Sequence, residues 1–503
     1  MSAETPDNLV ENVAAVDLGS NSFHLVVARV VGGNQFTVVD RLRERVTLAA
    51  GLDDQKKLMD KAQERALLCL QRFGQRLRFI PGLRVRAVGT SAMRQLVNPR
   101  DFLTKAEEAL GHDIEIIAGV EEARLIYLGV SHSLADDRGR RLVVDIGGGS
   151  TEIILGERFE PVRCESLGMG CVVYSLRYFG EGKLRAEDFE RAEIAARLKL
   201  QPIELRFRNA DWHNCVGSSG TILTIDEVLR NHGWSDRGIT LAGLKQLRRA
   251  MLSAGHLNKL TLNGLSPDRA PVFPGGVAIL TALFESLGVE QMFTSTGSMR
   301  EGVLYDLMGR IRHEDVRDIT IRNLAERYHV DVDHAARVEH SALTLLDAVF
   351  AAWEIDEEVG RQYLGWAARL HEIGLSVSYS GYHKHSAYLV ANSDMSGFSR
   401  EDQAFVSALI LGHRKKLTRE PFTSLPPSQV ELAVRLCALL RLAVRLNRAR
   451  SPRSLPSWVA YARKGGLALH FPPGWIAEHP LTRADLQEEA DRLLAVGLVL
   501  SVD

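Results

Sequence analysis

Cysteine is scarce in this chain: there are five among 503 residues, at positions 69, 164, 171, 215 and 437. No two are spaced as C-x-x-C and the number is odd, which excludes a disulfide framework and a cysteine-zinc site and points to a reducing compartment. The first residues, MSAETPDNLVEN, are polar and acidic, so a secretory leader is not expected there. No apolar run reaches the ~18 residues that spanning a bilayer requires. An excess of charge of one sign is also missing: 62 basic residues face 63 acidic ones, a net charge of −1. Bulk positive charge therefore cannot hold a nucleic acid, and no nucleic-acid partner is expected. These absences leave a soluble cytoplasmic protein as the expectation, too long for one core and divided into three or four domains.

Glycine-rich turns, by contrast, are well supplied and recur. Residues 13–44 read as strand, turn, strand, turn, strand: VAAVDLG is apolar and β-branched, SNSF turns, HLVVARVV alternates, and QFTVVDRL follows a glycine pair. A helical period follows over 58–79, a strand over 84–90, a helix over 99–110, a strand over 114–119 and a helix over 120–130. The opening pattern then returns in RLVVDIGGGSTEIILGERFEPVRCESL, 141–167, with Asp17 and Asp145 in equivalent places and both copies reading D-[LI]-G-x-x-S. A repeat of this kind predicts two related α/β lobes facing one another, divided near 131–139. Beyond about 315 the pattern is helical as far as 448; SPRSLPSW, 451–458, reads as a linker, and a small mixed tail follows.

The repeated loops suggest phosphate chemistry. Small residues let backbone N–H groups converge on an anion while serine hydroxyls add donors, and an Asp ending the preceding strand can hold Mg²⁺. Each loop runs into a strand, so it is neither a Walker loop nor a dinucleotide fingerprint. A plain hairpin turn also favours Gly and Asn, but two matching copies with matching Asp outweigh that reading. Glu121 and Glu122 begin a helix, where the macrodipole favours acids of any purpose. Neighbours on a helix point about 100° apart, so one of the pair can face the inter-lobe cleft, as a water-orienting base, while the other is solvated. Spacing alone does not choose between them. Arg94, Lys199, Arg269 and Arg300 are scattered cations able to meet a polyanion, although each alone reads as an ordinary surface residue.

Two features of the C-terminal half complete the inventory. His340, His371-Glu372, His383 and His385 follow the ligand order of an HD-type metal phosphohydrolase. That site needs Asp after the second His and a later Asp, and this chain has Glu372 and Val444, so no working two-metal centre is expected. Between Glu431 and Glu478 there is no acid, yet Arg435, Arg441, Arg445, Arg448, Arg450, Arg453, Arg463 and Lys464 lie there. That stretch reads either as a solvated or membrane-facing helix surface, or as a track for a long anion.

The motifs DLGSNSFHLVVARV, AGVEEARLIYLGV, VVDIGGGSTEIILGE, MGC at 169–171, VGSSGTI and GSMREGVLYDL together closely resemble the exopolyphosphatase and guanosine pentaphosphate phosphohydrolase family. The resemblance implies duplicated actin-like, ribonuclease H-like ATPase-fold lobes (1–132 and 133–312), a degenerate HD-like helical domain (313–450) and a small α+β domain (451–503). It further implies a hydrolase of terminal phosphoanhydride bonds with Glu122 as the catalytic carboxylate. Asp17, Asp145 and Glu122 would hold Mg²⁺, with K⁺ as a candidate stimulant. Ser20, Asn21, Ser22, Gly147, Gly148, Gly149 and Ser150 would bind phosphate, and Arg94, Lys199 and Arg269 would line the substrate path. A homodimer is implied, and the basic stretch adds peripheral membrane contact as a candidate. Between the family's two substrates, the basic stretch and the GGGS loop favour processive cleavage of inorganic polyphosphate over removal of the terminal phosphate of guanosine pentaphosphate. A kinase of the same superfold would need an acceptor site, and a non-catalytic sensor would not need Asp17, Glu122 and Asp145 intact.

Overall fold

In the computed structural model, residues 12–31, 36–53, 55–97, 99–134, 139–311, 316–450, 455–463 and 465–503 are described. The chain divides into two compact units, 1–315 and 316–503, close to the division after 312 expected from the sequence. Part of the expected lobe boundary (135–138), part of the linker (451–454) and Lys464 lie outside the described residues.

The first unit holds two sheets built to one plan. In the first, β1 (Asn12–Leu18), β2 (Ser22–Val30) and β3 (Phe36–Arg45) form an antiparallel meander. β4 (Leu83–Gly89) and β5 (Ile114–Ile116) extend it on the other side of β1 in parallel, giving the order β3-β2-β1-β4-β5. In the second, β6 (Arg140–Ile146), β7 (Thr151–Glu157) and β8 (Glu160–Leu167) repeat the meander. β9 (Asn214–Ser218) and β11 (Gln291–Thr294) are the parallel additions, and β10 (Ile239–Thr240) closes the order β8-β7-β6-β9-β11-β10. The repeat extends to fine geometry. Asp17 sits opposite His24 and Asp145 opposite Glu152, and each copy has a bulge in the same place, after Val27 and after Leu155.

Each lobe buries one face of its sheet against its own helices. The opposite faces share a core of Val13, Ala15, Val26 and Val88 with Val143, Ile154 and Val216, around the helices Gly119–Ser133 and Met299–Ile311. These helices approach so closely that a Cβ on Gly129 would lie 2.0 Å from the Ser298 carbonyl oxygen, and one on Gly302 1.8 Å from that of Leu125. The Met299–Ile311 helix thus packs on the first lobe's catalytic-candidate helix, although it follows the second lobe in sequence. The stretch from 270 to 287 is apolar and long enough to cross a membrane by composition, contrary to the expectation of no such run. It is buried for the most part within the second lobe and belongs to its core.

The second unit is helical from Val316–Arg327 through Pro427–Leu446, then ends in the sheet β12 (Val459–Arg463), β13 (Gly466–His470), β14 (Val499–Val502) with the helix Pro480–Leu494. The tail is not a separate domain. Leu467, Leu469, Leu486, Leu493 and Leu500 share one continuous core with Val338, Leu364 and Leu439 of the helices.

The acid-free basic stretch acquires its counter-charges here. Arg441, 1% exposed, pairs with the fully buried Glu489, while Arg445 meets Asp485, Glu488 and Glu489, and Arg448 meets Asp485. Arg450 pairs with Glu372 and Arg435 with Glu431. All three acids met by Arg445 come from the Pro480–Leu494 helix, some forty residues farther along the chain. The reading of this stretch as an open anion track is therefore corrected: Arg441, Arg445 and Arg448 anchor the tail, and Arg435 and Arg450 are paired within the helical region.

Candidate phosphoryl-transfer site

Both repeated loops open onto one cavity of about 620 Å³ in the first unit, lined by Asp17, Ser20, Asn21, Ser22, Glu122, Asp145 and 147–150 among others. Glycine permits this juxtaposition. A Cβ on Gly148 would meet Ser20 Cβ at 3.1 Å, and one on Gly149 would meet Ser91 Oγ at 2.7 Å and Ser20 Oγ at 3.1 Å. Gly170 of the MGC motif supports the second loop from below, since its Cβ would lie 2.3 Å from the Gly148 carbonyl oxygen. The helix Cys171–Phe179 then begins with N–H groups of Cys171 and Val172 donating to the carbonyls of Gly147 and Gly148, at 2.9 and 3.0 Å.

Glu122 lies in the first turn of its helix, 8% exposed, and accepts a 2.8 Å hydrogen bond from Arg94 Nη1. Arg94 also donates to the Ile117 carbonyl at 3.1 Å, so it is tied to both sides of the turn that presents Glu122. The structure thus gives Arg94 a positioning contact with the carboxylate. Glu121 faces the other way, and it is not solvated. It is 1% exposed, accepts from Arg124 at 2.7 and 2.8 Å and lies 3.6 Å from Arg86; both arginines also pair with buried Asp306. The choice that spacing left open is settled by direction: Glu122 lines the cavity, and Glu121 belongs to a buried ionic cluster.

Four carboxyl groups crowd the site. Burial, and then the mutual repulsion of Asp17, Glu122 and Asp145, push Asp17 up to about 7. Burial and Glu122 likewise carry Asp145 to about 7. Glu122 is raised by burial against the opposing pull of Arg94, and Glu152 is raised well above the usual range by burial, Glu122 and Asp145. Asp17 Oδ1, Asn21 Oδ1, Ser22 Oγ and Glu152 Oε2 are buried without a hydrogen-bond partner among the described residues. Crowded, mutually repelling carboxylates with unsatisfied oxygens fit a divalent cation and bound phosphate oxygens. Arg43, Arg269 and Arg300 also line the cavity. Arg269 is half-buried and packs against Gly220, and partial burial together with Arg43 lowers its pKa. Arg300 donates to His24 Nδ1 at 2.7 Å, and burial beside these arginines holds His24 neutral, down to about 3.

Lys199 does not join this set: it is exposed on the last turn of the helix Ala186–Leu200, whose buried face is Phe189, Ala192, Ala196 and Leu200. Sequence reasoning passed over Arg43, His24 and Glu152. Arg41, Arg43 and Arg45 alternate along β3 and therefore share one face of the strand. His24 and Glu152 lie directly across the hairpins from the two repeated Asp residues.

In the helical unit, His334, His371 and Glu372 come together, all buried. His340 does not join them, and Arg450 rests on Glu372. His371 Nδ1 bonds the Ala368 carbonyl at 2.7 Å, and His413 Nδ1 bonds that of Ile410 at 2.5 Å. Burial lowers the pKa of His334, His371, His383 and His413, with His383 at about 4. These histidines are neutral when folded and protonate near 6.5 when unfolded, so the stability they give is full above pH 6.5 and is lost as pH falls from there toward 4. Asp17 and Asp145 carry the opposite sign in the first unit, whose cost of burying them is relieved as pH falls through 7. With a chelator present, calorimetry at pH 7.5 and 5.5 is expected to show the second unit's transition moving down relative to the first unit's; transitions that move together would contradict it.

Two duplicated lobes around paired Asp-glycine loops, with a carboxylate beside them, define a hydrolase of phosphoanhydride bonds on the actin-like ATPase fold. Comparisons with known proteins make the assignment specific: residues 26–311 match the Ppx/GppA phosphatase family and 316–490 match its domain III, and the chain belongs to that family. It is 40% identical over 484 residues to the guanosine-5'-triphosphate,3'-diphosphate pyrophosphatase of Aeromonas hydrophila, covering 96% of this chain and 97% of that one. The protein of the same name from Vibrio cholerae is 40% identical over 493 residues, covering 97% and 98%. Among solved structures, an exopolyphosphatase from Cytophaga hutchinsonii matches with 25% identity and a TM-score of 0.53, covering 59% of this chain and 97% of that one. The PPX-GPPA enzyme of Aquifex aeolicus matches with 25% identity and a TM-score of 0.51, covering 59% and 99%.

Proposed function

We propose that this protein removes the terminal 5' phosphate of guanosine pentaphosphate as orthophosphate, leaving the tetraphosphate. The observation that carries the substrate choice is the 40% identity, over nearly the whole chain, to relatives named for that activity. It reverses the preference for inorganic polyphosphate drawn from the sequence. The basic stretch that suggested a long track is engaged with Glu489, Asp485 and Glu488, so the argument from that stretch no longer stands.

In this reading the backbone N–H groups and serines of the two loops hold the terminal phosphoryl group, and Arg269 and Arg300 meet the phosphates behind it. Glu122, fixed by Arg94, orients the attacking water and takes its proton, a task suited to a carboxylate whose basicity burial raises. Asp17 and Asp145 would hold Mg²⁺, which would supply positive charge to offset the negative charge developing on the phosphoryl oxygens. Polyphosphate is the second reading, favoured by the likeness of 59% of the chain to a structure named exopolyphosphatase. Orthophosphate release from guanosine pentaphosphate, long-chain polyphosphate and ATP, assayed in parallel with Mg²⁺ and with a chelator, separates them. Highest kcat/KM on guanosine pentaphosphate, abolished by the chelator, is expected. A higher value on polyphosphate overturns the substrate, and full activity in the chelator overturns the metal.

A further inference from the structure

The cavity extends beyond the phosphate clamp along one face of the helix Ser219–Asn231. Gly220, Leu223, Thr224 and Glu227 all line it. They are spaced i, i+3, i+4 and i+7, one continuous stripe. At 1.5 Å per residue the stripe runs about 10 Å from the helix N-terminus, where Arg269 packs on Gly220, to the carboxylate of Glu227. Gly264 forms part of the facing wall. It has φ +95°, and a Cβ there would lie 3.1 Å from Glu227 Cγ and 2.8 Å from Asn231 Nδ2, so glycine lets that loop close on the end of the stripe.

The chemistry changes sign along this wall. Its inner end presents a cation and helix N–H groups and suits phosphate; its middle offers the side chains of Leu223 and Thr224. Its outer end is an exposed carboxylate with no hydrogen-bond or ion-pair partner among the described residues. An exposed Glu on a helix is usually only a solvated residue, but this one stands at the rim of a cavity otherwise built for anions. A polyphosphate chain running along the stripe would bring like charge against it. A ligand that is phosphate at one end and a planar hydrogen-bond donor at the other matches both ends.

We infer that Glu227 is a specificity-determining residue that reads the nucleobase, its two carboxylate oxygens accepting from the ring N1–H and the exocyclic amine of guanine. This deepens the proposed function and rests on it. Adenine lacks that pair of donors and would forgo both hydrogen bonds.

The test is a change of complementary partner. Xanthine keeps N1–H but carries a carbonyl oxygen in place of the exocyclic amine, and a glutamine amide offers the matching acceptor and donor. Orthophosphate release is measured for the parent protein and Glu227→Gln on guanosine pentaphosphate and its xanthosine analogue. The parent is expected to prefer the guanosine compound, and Glu227→Gln to shift the ratio of kcat/KM toward xanthosine by about tenfold or more, the scale of discrimination that a paired hydrogen-bonding edge supplies. Activity gained on xanthosine also shows that the variant is folded. An unchanged ratio, or equal loss on both compounds, overturns the assignment of Glu227 alone. A parent that releases phosphate from polyphosphate but not from guanosine pentaphosphate overturns the proposed function and this inference with it.

Discussion

Glu122→Gln is expected to lower kcat for orthophosphate release by about 10²–10⁴-fold, the usual contribution of a positioned general base. The amide keeps the volume of the side chain and can still accept from Arg94, so folding is expected to be preserved and the loss to appear in kcat more than in KM. Glu121→Gln is expected to behave differently. Glu121 is held between Arg124 and Arg86 in a cluster closed by Asp306, all of them buried. Removing one carboxylate there leaves positive charge uncompensated in the interior, a stability cost of about 3–5 kcal/mol. Thermal melts and kcat measured on both variants separate the roles. A Glu122→Gln protein with more than a tenth of the parent's kcat would remove Glu122 from the chemistry.

Arg441→Met is expected to destabilise the second unit by about 3 kcal/mol, because it removes the most deeply buried partner of Glu489 and leaves only the longer contacts to Arg445 and Arg492. The loss also frees the carbonyl oxygens of Gly412 and Lys415, which Arg441 Nη1 and Nη2 hold at 2.7 and 2.9 Å. The double variant Arg441→Met, Glu489→Leu is expected to recover part of that stability, since an apolar pair replaces the buried ion pair while the Gly412 and Lys415 carbonyls stay unpaired and Arg445 and Arg492 each lose one partner. Urea unfolding followed by tryptophan fluorescence checks this, as Trp353, Trp366, Trp458 and Trp475 all lie in that unit. An Arg441→Met protein that unfolds at the parent's midpoint, yet is slowed selectively on long polyphosphate, would restore the anion-track reading.

These two predictions rest on different kinds of information. Asp17 and Asp145 were legible from sequence because the signal is local. Strand, glycine turn and strand lie within about twenty residues, 12–30, and the second copy repeats them over 140–157. Hairpin geometry then carries each Asp to its loop without help from the rest of the chain. The strand and helix pattern of the first unit was readable for the same reason.

Charge partnership was not local, and there sequence reading went astray. Arg441, Arg445 and Arg448 look uncompensated along the chain because Asp485, Glu488 and Glu489 arrive from a helix some forty residues later. Glu121 and Glu122 are adjacent in sequence, but only the packing of Gly119–Ser133 against Met299–Ile311 turns one into an ionic cluster and the other toward the cavity. Lys199 was carried to the substrate path by likeness to a family, and its helix turns it to solvent. The sequence by itself determined the duplicated phosphate loops and their Asp residues, since short-range backbone geometry specifies them. The tertiary structure alone decided which carboxylate faces the cavity and which arginines are already neutralised. Those outcomes depend on Coulombic contacts between segments far apart in sequence, and such contacts exist only once the chain has packed.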